Sequence, residues 1–250
     1  MPMTGNHIIK LETVDSTNVF AQELLQNHKV EDGTVIVSRN QTKGKGQRGS
    51  LWIAEPGTNL TFSIIFFPKQ LTADKQFLLN KAFSLAVYDF LSNHGLSDIS
   101  IKWPNDVMIK GKKIAGMLVE NSVAGEYIRS IIAGFGINVN QTNFGMSLID
   151  IATSMRLEKA TVFKLDELLL ELIESIKSRY AQVLKHENKL ITQDYTSHLF
   201  QLNLWGMYEA NGKEFIGCIR GINDTGQLIV EHQGGVKQTF ANKEIRYKIF

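Results

Sequence analysis

Hydrophobic and polar positions alternate with two periods along the chain, which predicts a mixture of strands and amphipathic helices. Short apolar runs of strand length predict strands at 8–11, 35–37, 59–67, 99–103, 107–109, 114–120 and 127–139. Helical spacing predicts helices after residue 15, over 73–94, from a capping Asp166 to about residue 185, and over 193–199, with a short helix or turn at 149–155. The pattern predicts an α+β fold.

The pattern changes near residue 203. Beyond it, short strands predicted at 215–220, 227–231 and 236–240 are separated by glycines and lie about ten residues apart. This spacing predicts a small β-barrel. We therefore predict a main domain over residues 1–202 and a C-terminal domain over residues 203–250.

Composition narrows the class of protein. The 250 residues are 43% hydrophobic and 21% charged, as is ordinary for a globular protein, and a net charge of +2 is too small to indicate nucleic-acid binding. A single cysteine, Cys218, excludes an internal disulfide and a cysteine-based metal cluster, which favours the reducing cytoplasm. The first residues lack the apolar core of a signal peptide, and no run reaches membrane-span length.

Residues 102–120, KWPNDVMIKGKKIAGMLVE, carry the densest candidate chemistry. Pro104 breaks the first predicted strand and Gly111 supplies the next turn. The turns thereby gather polar side chains, namely Lys102, Asn105, Asp106, Lys112 and Lys113. Lysine can follow phosphate oxygens, and Asn or Asp can ligate Mg²⁺. The stretch predicts a polyphosphate and metal site, and the alternative is a solvated basic hairpin.

A second candidate is the Gly-rich loop, residues 39–52, in which Gly44, Gly46 and Gly49 are interspersed with cations. Glycines let backbone N–H groups approach an anion closely. The spacing matches neither the nucleotide-binding P-loop nor the dinucleotide fingerprint. The loop either covers a ligand or is a mobile basic surface segment.

Two further features are ambiguous from the sequence alone. Residues 15–18, DSTN, begin a predicted helix, where the hydroxyls either cap the helix or bind a polar ligand at its positive end. Gly134 and Gly136 alternate inside a predicted strand, which indicates close approach of a ligand or of backbone.

Taken together, these motifs make the chain resemble a biotin protein ligase. Five of them follow the family's order, namely 15–18 (DSTN), 44–49 (GKGQRG) with Trp52, 102–106 (KWPND), 113–116 (KIAG) and 136–138 (GIN). The resemblance implies a mixed sheet flanked by helices, related to class II aminoacyl-tRNA synthetases, with an SH3-like C-terminal barrel. It also implies biotin, ATP and Mg²⁺ as ligands, and a lysine of a biotin carboxyl carrier protein or domain as acceptor.

The resemblance also implies roles for individual residues. The catalytic set would be Lys113, Arg48 and Lys45. The biotin-binding set would be Ser16, Thr17, Asn18, Gln41, Gly44, Lys45, Gly46, Gln47, Lys113 and Gly116. The ATP-binding set would be Arg48, Trp52, Lys102, Asn105, Asp106 and Asn138, with Asp106 as a Mg²⁺ ligand. Trp52 could instead be a core residue.

The chain departs from the family's pattern in the Gly-rich loop. Many members read Gly-Arg-Gly-Arg, where this chain has Lys45 and Gln47. Lysine lacks the bidentate fork of arginine, and glutamine carries no charge to oppose a phosphate. Our hypothesis is that Arg48 supplies the missing countercharge.

Other readings and partners follow from the same residues. About fourteen residues precede Asp15, which are too few for an N-terminal DNA-binding domain. We therefore expect the monofunctional type of ligase, with no specific DNA binding. The oligomeric state stays open, with a homodimer as one alternative.

Two rival functions are a lipoate or octanoate ligase and a non-catalytic biotin- or nucleotide-sensing module. The set Ser16, Thr17, Asn18 and Gln41 favours a ureido ring over a plain acyl chain.

Overall fold

A computed structural model describes residues 7–146 and 148–248, without the side chain of Arg48. Its strands are β1 (Ile8–Val14), β2 (Thr34–Gln41), β3 (Leu60–Phe66), β4 (Ile99–Lys102), β5 (Asp106–Ile109), β6 (Lys112–Ala124), β7 (Tyr127–Ile137), β8 (Trp205–Ala210), β9 (Lys213–Ile222), β10 (Leu228–His232), β11 (Lys237–Phe240) and β12 (Ile245–Lys248). Its helices are α1 (Thr17–Asn27), α2 (Gln76–Asn93), α3 (Met155–Lys159), α4 (Leu165–Leu184) and α5 (Asn188–Ser197).

The larger sheet has seven strands in the order β1-β2-β3-β7-β6-β5-β4. Strands β1 and β2 are parallel and are joined through α1, whereas the other neighbours pair antiparallel. The expected α+β fold with a mixed sheet flanked by helices is confirmed.

The two faces of this sheet bury unequal cores. Side chains alternate between the faces of a strand, so Phe62, Ile64 and Phe66 of β3 pack in the main core, which also includes α2 and α4 residues. Ser63 and Ile65 point to the opposite face, which α1 covers. There the buried apolar cluster is small, consisting of Ala21, Ile36, Ile65 and Ile132.

The β5–β6 hairpin positions most of residues 102–120. Lys110 and Gly111 form its two-residue turn with φ values of 49° and 78°, the left-handed conformation that such hairpins require. The turn predicted at Gly111 is confirmed. A register shift follows, because Val107 and Met108 pair with Ala115 and Lys113, which leaves Ile114 as the extra residue of a β-bulge.

A turn lies within residues 149–155, as the prediction of a short helix or turn allows: turns cover residues 149–151, and α3 begins at Met155, where the Ser154 hydroxyl accepts from the Leu157 N–H. Other predicted boundaries are wrong. Helix α4 has Lys164 as its N-cap, with Asp166 inside the first turn. Helix α5 begins at Asn188, before the predicted residue 193. Strands β8 and β12 carry no local pattern strong enough to have been predicted.

The C-terminal strands form an antiparallel five-stranded sheet in the order β11-β10-β9-β8-β12. Over residues 203–248 the end strands β11 and β12 do not pair, so the expected small β-barrel is present as an open sheet: β12 pairs with β8, and β11 pairs with β10. One contact between this sheet and the rest of the molecule is made by the Trp103 indole N–H, which donates to the Gly226 carbonyl at 2.8 Å. None of the helices described above has the length and apolar character needed to cross a membrane.

Candidate functional site

A cavity of about 210 Å³ opens beside the N-terminus of α1. Its walls come from α1, the Gly-rich loop, strands β6 and β7, and the turn between β11 and β12. They contain most of the expected biotin-binding residues, namely Ser16, Thr17, Asn18, Gln41, Lys45, Gly46, Gln47, Lys113 and Gly116. The fold therefore brings together residues from four distant parts of the sequence.

Hydroxyl and amide groups form a network at the α1 side of this first cavity. The Gln41 Oε1 accepts from the Thr17 N–H at 2.7 Å and from its hydroxyl at 3.1 Å. The Asn18 amide donates to the Glu120 carboxylate at 2.7 Å, and the Ser63 hydroxyl lies 2.7 Å from Thr17 Oγ1 and 2.6 Å from Asn18 Oδ1. These bonds fix the orientation of each polar group, as selective recognition of a polar ligand requires.

The contacts of the Ser16 side chain show whether this residue caps the helix. It is the N-cap residue of α1, but its side chain makes no capping hydrogen bond, and it lines the cavity instead. The N-terminus of α1 therefore presents its positive end, together with this hydroxyl, to the cavity.

Two glycines in β7 make room for the site. A Cβ at Gly134 would overlap the Asn18 amide, and a Cβ at Gly136 would overlap the Trp52 indole. Neither glycine has a positive φ, so close approach and not backbone strain explains both. The sequence analysis expected a ligand or backbone close to these glycines; the structure places the side chains of Asn18 and Trp52 there instead.

Lys113 lies beside the bulge of β6, and its backbone is held on both sides. Its N–H donates to the Ile151 carbonyl at 2.8 Å, and its carbonyl accepts from the Thr153 N–H at 2.9 Å. Its ammonium lies 2.7 Å from Asp106 Oδ1 and 5.6 Å from the centroid of the Trp52 ring. With side-chain exposed fractions of 36% and 28%, Lys113 and Asp106 remain accessible to a ligand.

A second cavity, of about 470 Å³, lies on the other side of these residues. Four residues, Leu51, Trp52, Asp106 and Lys113, line both cavities. The remaining lining residues include Lys102 and Asn138 and a group that the sequence analysis missed, namely Phe144, Leu148, Ile151 and Tyr247. The second cavity thus combines apolar walls with cations at one end.

Lys102 and Tyr247 bring the C-terminal sheet to this second cavity. The Lys102 ammonium lies 4.9 Å from the centroid of the Tyr247 ring. Burial lowers the pKa of Lys102, and the nearby Asp106 carboxylate opposes part of this shift. Burial raises the pKa of Tyr247, so its phenol stays protonated at neutral pH, and its buried hydroxyl has no hydrogen-bond partner among the residues that the structure describes.

Three expected ligand residues are occupied by internal contacts. The Asn105 amide donates to the Met117 carbonyl, although the residue lines the first cavity. The Asn138 amide donates to the Thr153 carbonyl at 3.0 Å. Gly44 lines neither cavity; a Cβ there would overlap the Trp52 carbonyl, so this glycine lets the two ends of the Gly-rich loop meet.

The Gly-rich loop folds into a compact turn. The Gly46 N–H donates to the Ser50 carbonyl at 2.7 Å, and the Trp52 N–H donates to the Gly44 carbonyl at 3.0 Å. The side chain of Arg48, to which we assigned the countercharge, lies outside the part of the chain that the structure describes. Trp52 faces both cavities, and its buried indole N–H has no hydrogen-bond partner within the described part of the chain.

Some residues of the site were missed by the sequence analysis. Ser63 is a polar residue within the apolar run of β3, and that interruption could have signalled a polar face. Asn242 and Lys243, in the turn after β11, line the first cavity, yet nothing in their local sequence distinguishes them from an ordinary surface turn.

Metal-binding chemistry is limited here. Within residues 7–146 and 148–248, no group of three or more His, Cys, Asp or Glu side chains is arranged to hold a metal ion. The single carboxylate shared by the two cavities is Asp106.

Comparison with solved structures supports a common architecture. The biotin protein ligase from Aquifex aeolicus, solved in complex with biotin and ATP, superposes with a TM-score of 0.79 at 26% identity, covering 97% of this chain and 99% of that one. The biotin--[acetyl-CoA-carboxylase] ligase of Paracoccus denitrificans is 28% identical over 90% of this chain and 94% of its own length.

Sequence comparison then gives the family. The bifunctional ligase/repressor BirA of Bacillus spizizenii is 32% identical over 241 residues, which are 95% of this chain and 73% of that protein. Residues 11–138 match the biotin/lipoate A/B protein ligase family, and this stretch contains Ser16, Gln41, Lys113 and Gly136 of the site described above. The chain belongs to the biotin/lipoate A/B protein ligase family.

Proposed function

We propose that the protein is an ATP-dependent biotin protein ligase. It would join biotin to ATP, giving biotinyl-5′-AMP and pyrophosphate, and then transfer biotin to a lysine of a biotin carboxyl carrier protein or domain. The observation that carries the proposal is the meeting of two cavities at Lys113. A lysine between two binding sites suits a reaction in which one anion must attack another.

The polar network at the α1 side of the first cavity supports biotin as its ligand. A ureido ring offers two N–H donors and one carbonyl acceptor, whereas the acyl chain of lipoate or octanoate offers none. Hydroxyls and amides of Ser16, Thr17, Asn18 and Gln41 supply both kinds of partner. A site built to hydrogen-bond a ligand rejects an analogue that leaves its polar groups unpaired.

The second cavity supports ATP as the other substrate. Its apolar walls, including Phe144, Leu148 and Tyr247, suit a base, and Lys102 and Lys113 suit phosphates. In the first step, a biotin carboxylate oxygen attacks the α-phosphorus and pyrophosphate leaves with the electrons of the broken P–O bond. Lys113 would neutralise the charge that builds up between the two anions.

The second step needs no nucleophile from the enzyme. The neutral amine of the carrier lysine attacks the acyl carbon of the mixed anhydride, the C–N bond forms, AMP leaves and the amine loses a proton. Holding the adenylate in one orientation would supply much of the rate enhancement, because it removes the entropic cost of alignment.

Magnesium fits this site only together with the nucleotide. Proteins hold Mg²⁺ in nucleotide sites through one or two carboxylates and the substrate phosphates, and Asp106 is a carboxylate in position to contribute. The ion would reduce the negative charge of the phosphates. Its binding is therefore expected to depend on ATP.

The assignment is tested by exchange of labelled pyrophosphate into ATP. We expect exchange that requires biotin, together with a rise in melting temperature with biotin and none with lipoate. Exchange driven by lipoate would assign the chain to the lipoate branch of the family. Biotin binding without exchange would support the sensing module.

Tyr247→Phe tests the second cavity with little disturbance of the fold. Within residues 7–146 and 148–248 the hydroxyl has no hydrogen-bond partner, so its removal costs no hydrogen bond there, and phenylalanine keeps the ring beside Lys102. If the hydroxyl donates to the nucleotide, the KM for ATP rises about five- to tenfold, as expected for one hydrogen bond, with the KM for biotin unchanged. Both constants are measured in the exchange assay.

Tyr208→Phe is the matched control for this prediction. Tyr208 lies on the same sheet, but its hydroxyl pairs with Gln201 at 3.1 Å, and the residue lines neither cavity. We expect its KM for ATP to equal that of the wild type. An unchanged KM in Tyr247→Phe would remove this hydroxyl from the nucleotide site.

Two features of the chain bear on its domain organisation and its location. We assign residues 1–202 to substrate binding and catalysis and residues 203–250 to a C-terminal domain. Along the chain, β7 is the last strand of the seven-stranded sheet and β8 is the first strand of the five-stranded sheet. Cytoplasmic location agrees with the use of ATP and with the buried free thiol of Cys218.

A further inference from the structure

The turn between β11 and β12 reaches the Gly-rich loop. The Asn242 amide donates a hydrogen bond of 2.5 Å to the Gln47 side-chain oxygen, and both residues line the first cavity. The two residues are 195 positions apart in the chain. A side chain of the C-terminal sheet therefore contacts the loop that covers the proposed biotin site.

The turn that carries Asn242 is held in a fixed shape. The Ala241 N–H donates to the Glu244 carboxylate at 2.7 Å, and the Glu244 N–H donates to the Ala241 carbonyl at 3.0 Å. The flanking residues Phe240 and Ile245 are buried. A side chain mounted on such a turn can position its partner, because its own backbone does not have to be ordered first.

The other partner is at the tip of the Gly-rich loop. Gln47 begins the short helical turn over residues 47–49, and Gly49, Ser50 and Leu51 beside it are exposed. Glycines at 46 and 49 lower the conformational cost of opening this tip. A hydrogen bond from outside the loop therefore has a direct influence on how often the loop opens.

We propose that Asn242 is a positioning residue that holds the Gly-rich loop over the first cavity through Gln47, so that the C-terminal sheet sets how long the activated intermediate is retained. The uncharged Gln47 thereby has a role that does not require it to oppose a phosphate. The part concerning retention rests on the proposed function, whereas the part concerning loop opening does not.

The test compares Asn242→Ala, Gln47→Ala and the double variant. Hydrogen–deuterium exchange at residues 44–52 of the ligand-free protein measures loop opening without any assumption about the reaction. Each single variant is expected to raise the exchange rate about three- to tenfold, the effect of one neutral hydrogen bond. The double variant is expected to exceed neither single variant, because both remove the same contact.

A second readout concerns the intermediate. After biotin and ATP are supplied, the rate at which biotinyl-adenylate leaves the protein is expected to rise three- to tenfold in each single variant. The rate of its formation is expected to change less, since neither residue belongs to the Lys113–Asp106 pair. Gln238→Ala is the matched control, because Gln238 pairs with His232 on β10 and lies outside the first cavity.

The outcomes separate the two proposals. Loop exchange equal to that of the wild type, or effects that multiply in the double variant, would overturn the Asn242–Gln47 link. Faster loop exchange with unchanged release would overturn the control of retention. Absence of any adenylate in the wild type would refute the proposed function, and the exchange data on the ligand-free loop would still decide the link.

Discussion

Replacing Lys113 by alanine is expected to lower biotin-dependent pyrophosphate exchange about 10²- to 10³-fold, the usual cost of removing one preorganised charge-stabilising group. The ammonium lies 2.7 Å from Asp106 between the two cavities, and its loss leaves that carboxylate facing two anionic substrates. The barrier therefore rises for two reasons, lost attraction and added repulsion. Biotin affinity, measured by calorimetry, is expected to change much less.

Lys110→Ala provides the comparison for this variant. Lys110 lies in the same hairpin, but its ammonium pairs with Glu158 at 2.9 Å, and it lines neither cavity. The Lys110 end of this pair is exposed to solvent, so the pair contributes little to stability and wild-type exchange is expected. If Lys113→Ala kept more than about a tenth of the wild-type rate, the ammonium would be a binding group and not the main source of charge stabilisation.

Gly134→Ala is expected to weaken biotin binding about 100-fold or more. The added methyl group would overlap the Asn18 amide and push it away from Glu120 and Ser63. The displaced amide would no longer hold the orientation needed to bond to biotin, and a loss of two or three hydrogen bonds to the ligand, each about 1 kcal/mol, corresponds to this change in affinity. Biotin affinity of the purified variant is the measurement.

Two further variants show whether the effect belongs to the site. Asn18→Ala removes the same amide without crowding β7, so it is expected to reproduce the loss of affinity. Gly206→Ala adds a methyl group in β8, where the nearest atom is the end of the Gln201 side chain at 3.3 Å, and affinity should be unchanged. Strong biotin binding by both Gly134→Ala and Asn18→Ala would place the ligand elsewhere.

The parts of the fold that local sequence determines were predicted well. The β5–β6 hairpin depends on Gly111 and on two short apolar runs, all within a dozen residues, and its turn is as expected. The same holds for α2, which ends at Asn93 with Gly95 in the left-handed conformation that closes helices. Local chemistry also placed Ser16 and Lys113, because each is next to a turn or helix start.

Features set by distant pairing were not predictable in the same way. The C-terminal sheet would close only if its end strands β11 and β12 paired, and no local pattern of β12 encodes its pairing with β8. Tyr247 and Asn242 reach the cavities only because the five-stranded sheet packs against Trp103. Asn105 and Asn138 have the residue type of ligands, yet their amides bond to backbone carbonyls, which only coordinates reveal.

The small cluster beneath α1 has a thermodynamic consequence. This helix is held to the sheet by four buried residues and by partly buried apolar side chains such as Phe20, Leu24 and Leu25, whereas a much larger core covers the opposite face. Regions with few buried apolar contacts open at a lower free energy than the whole protein does, so α1 is expected to form a separate unit of local unfolding. A ligand bound at residues 16–18 would be linked to that equilibrium, and its affinity would include the free energy of keeping α1 docked.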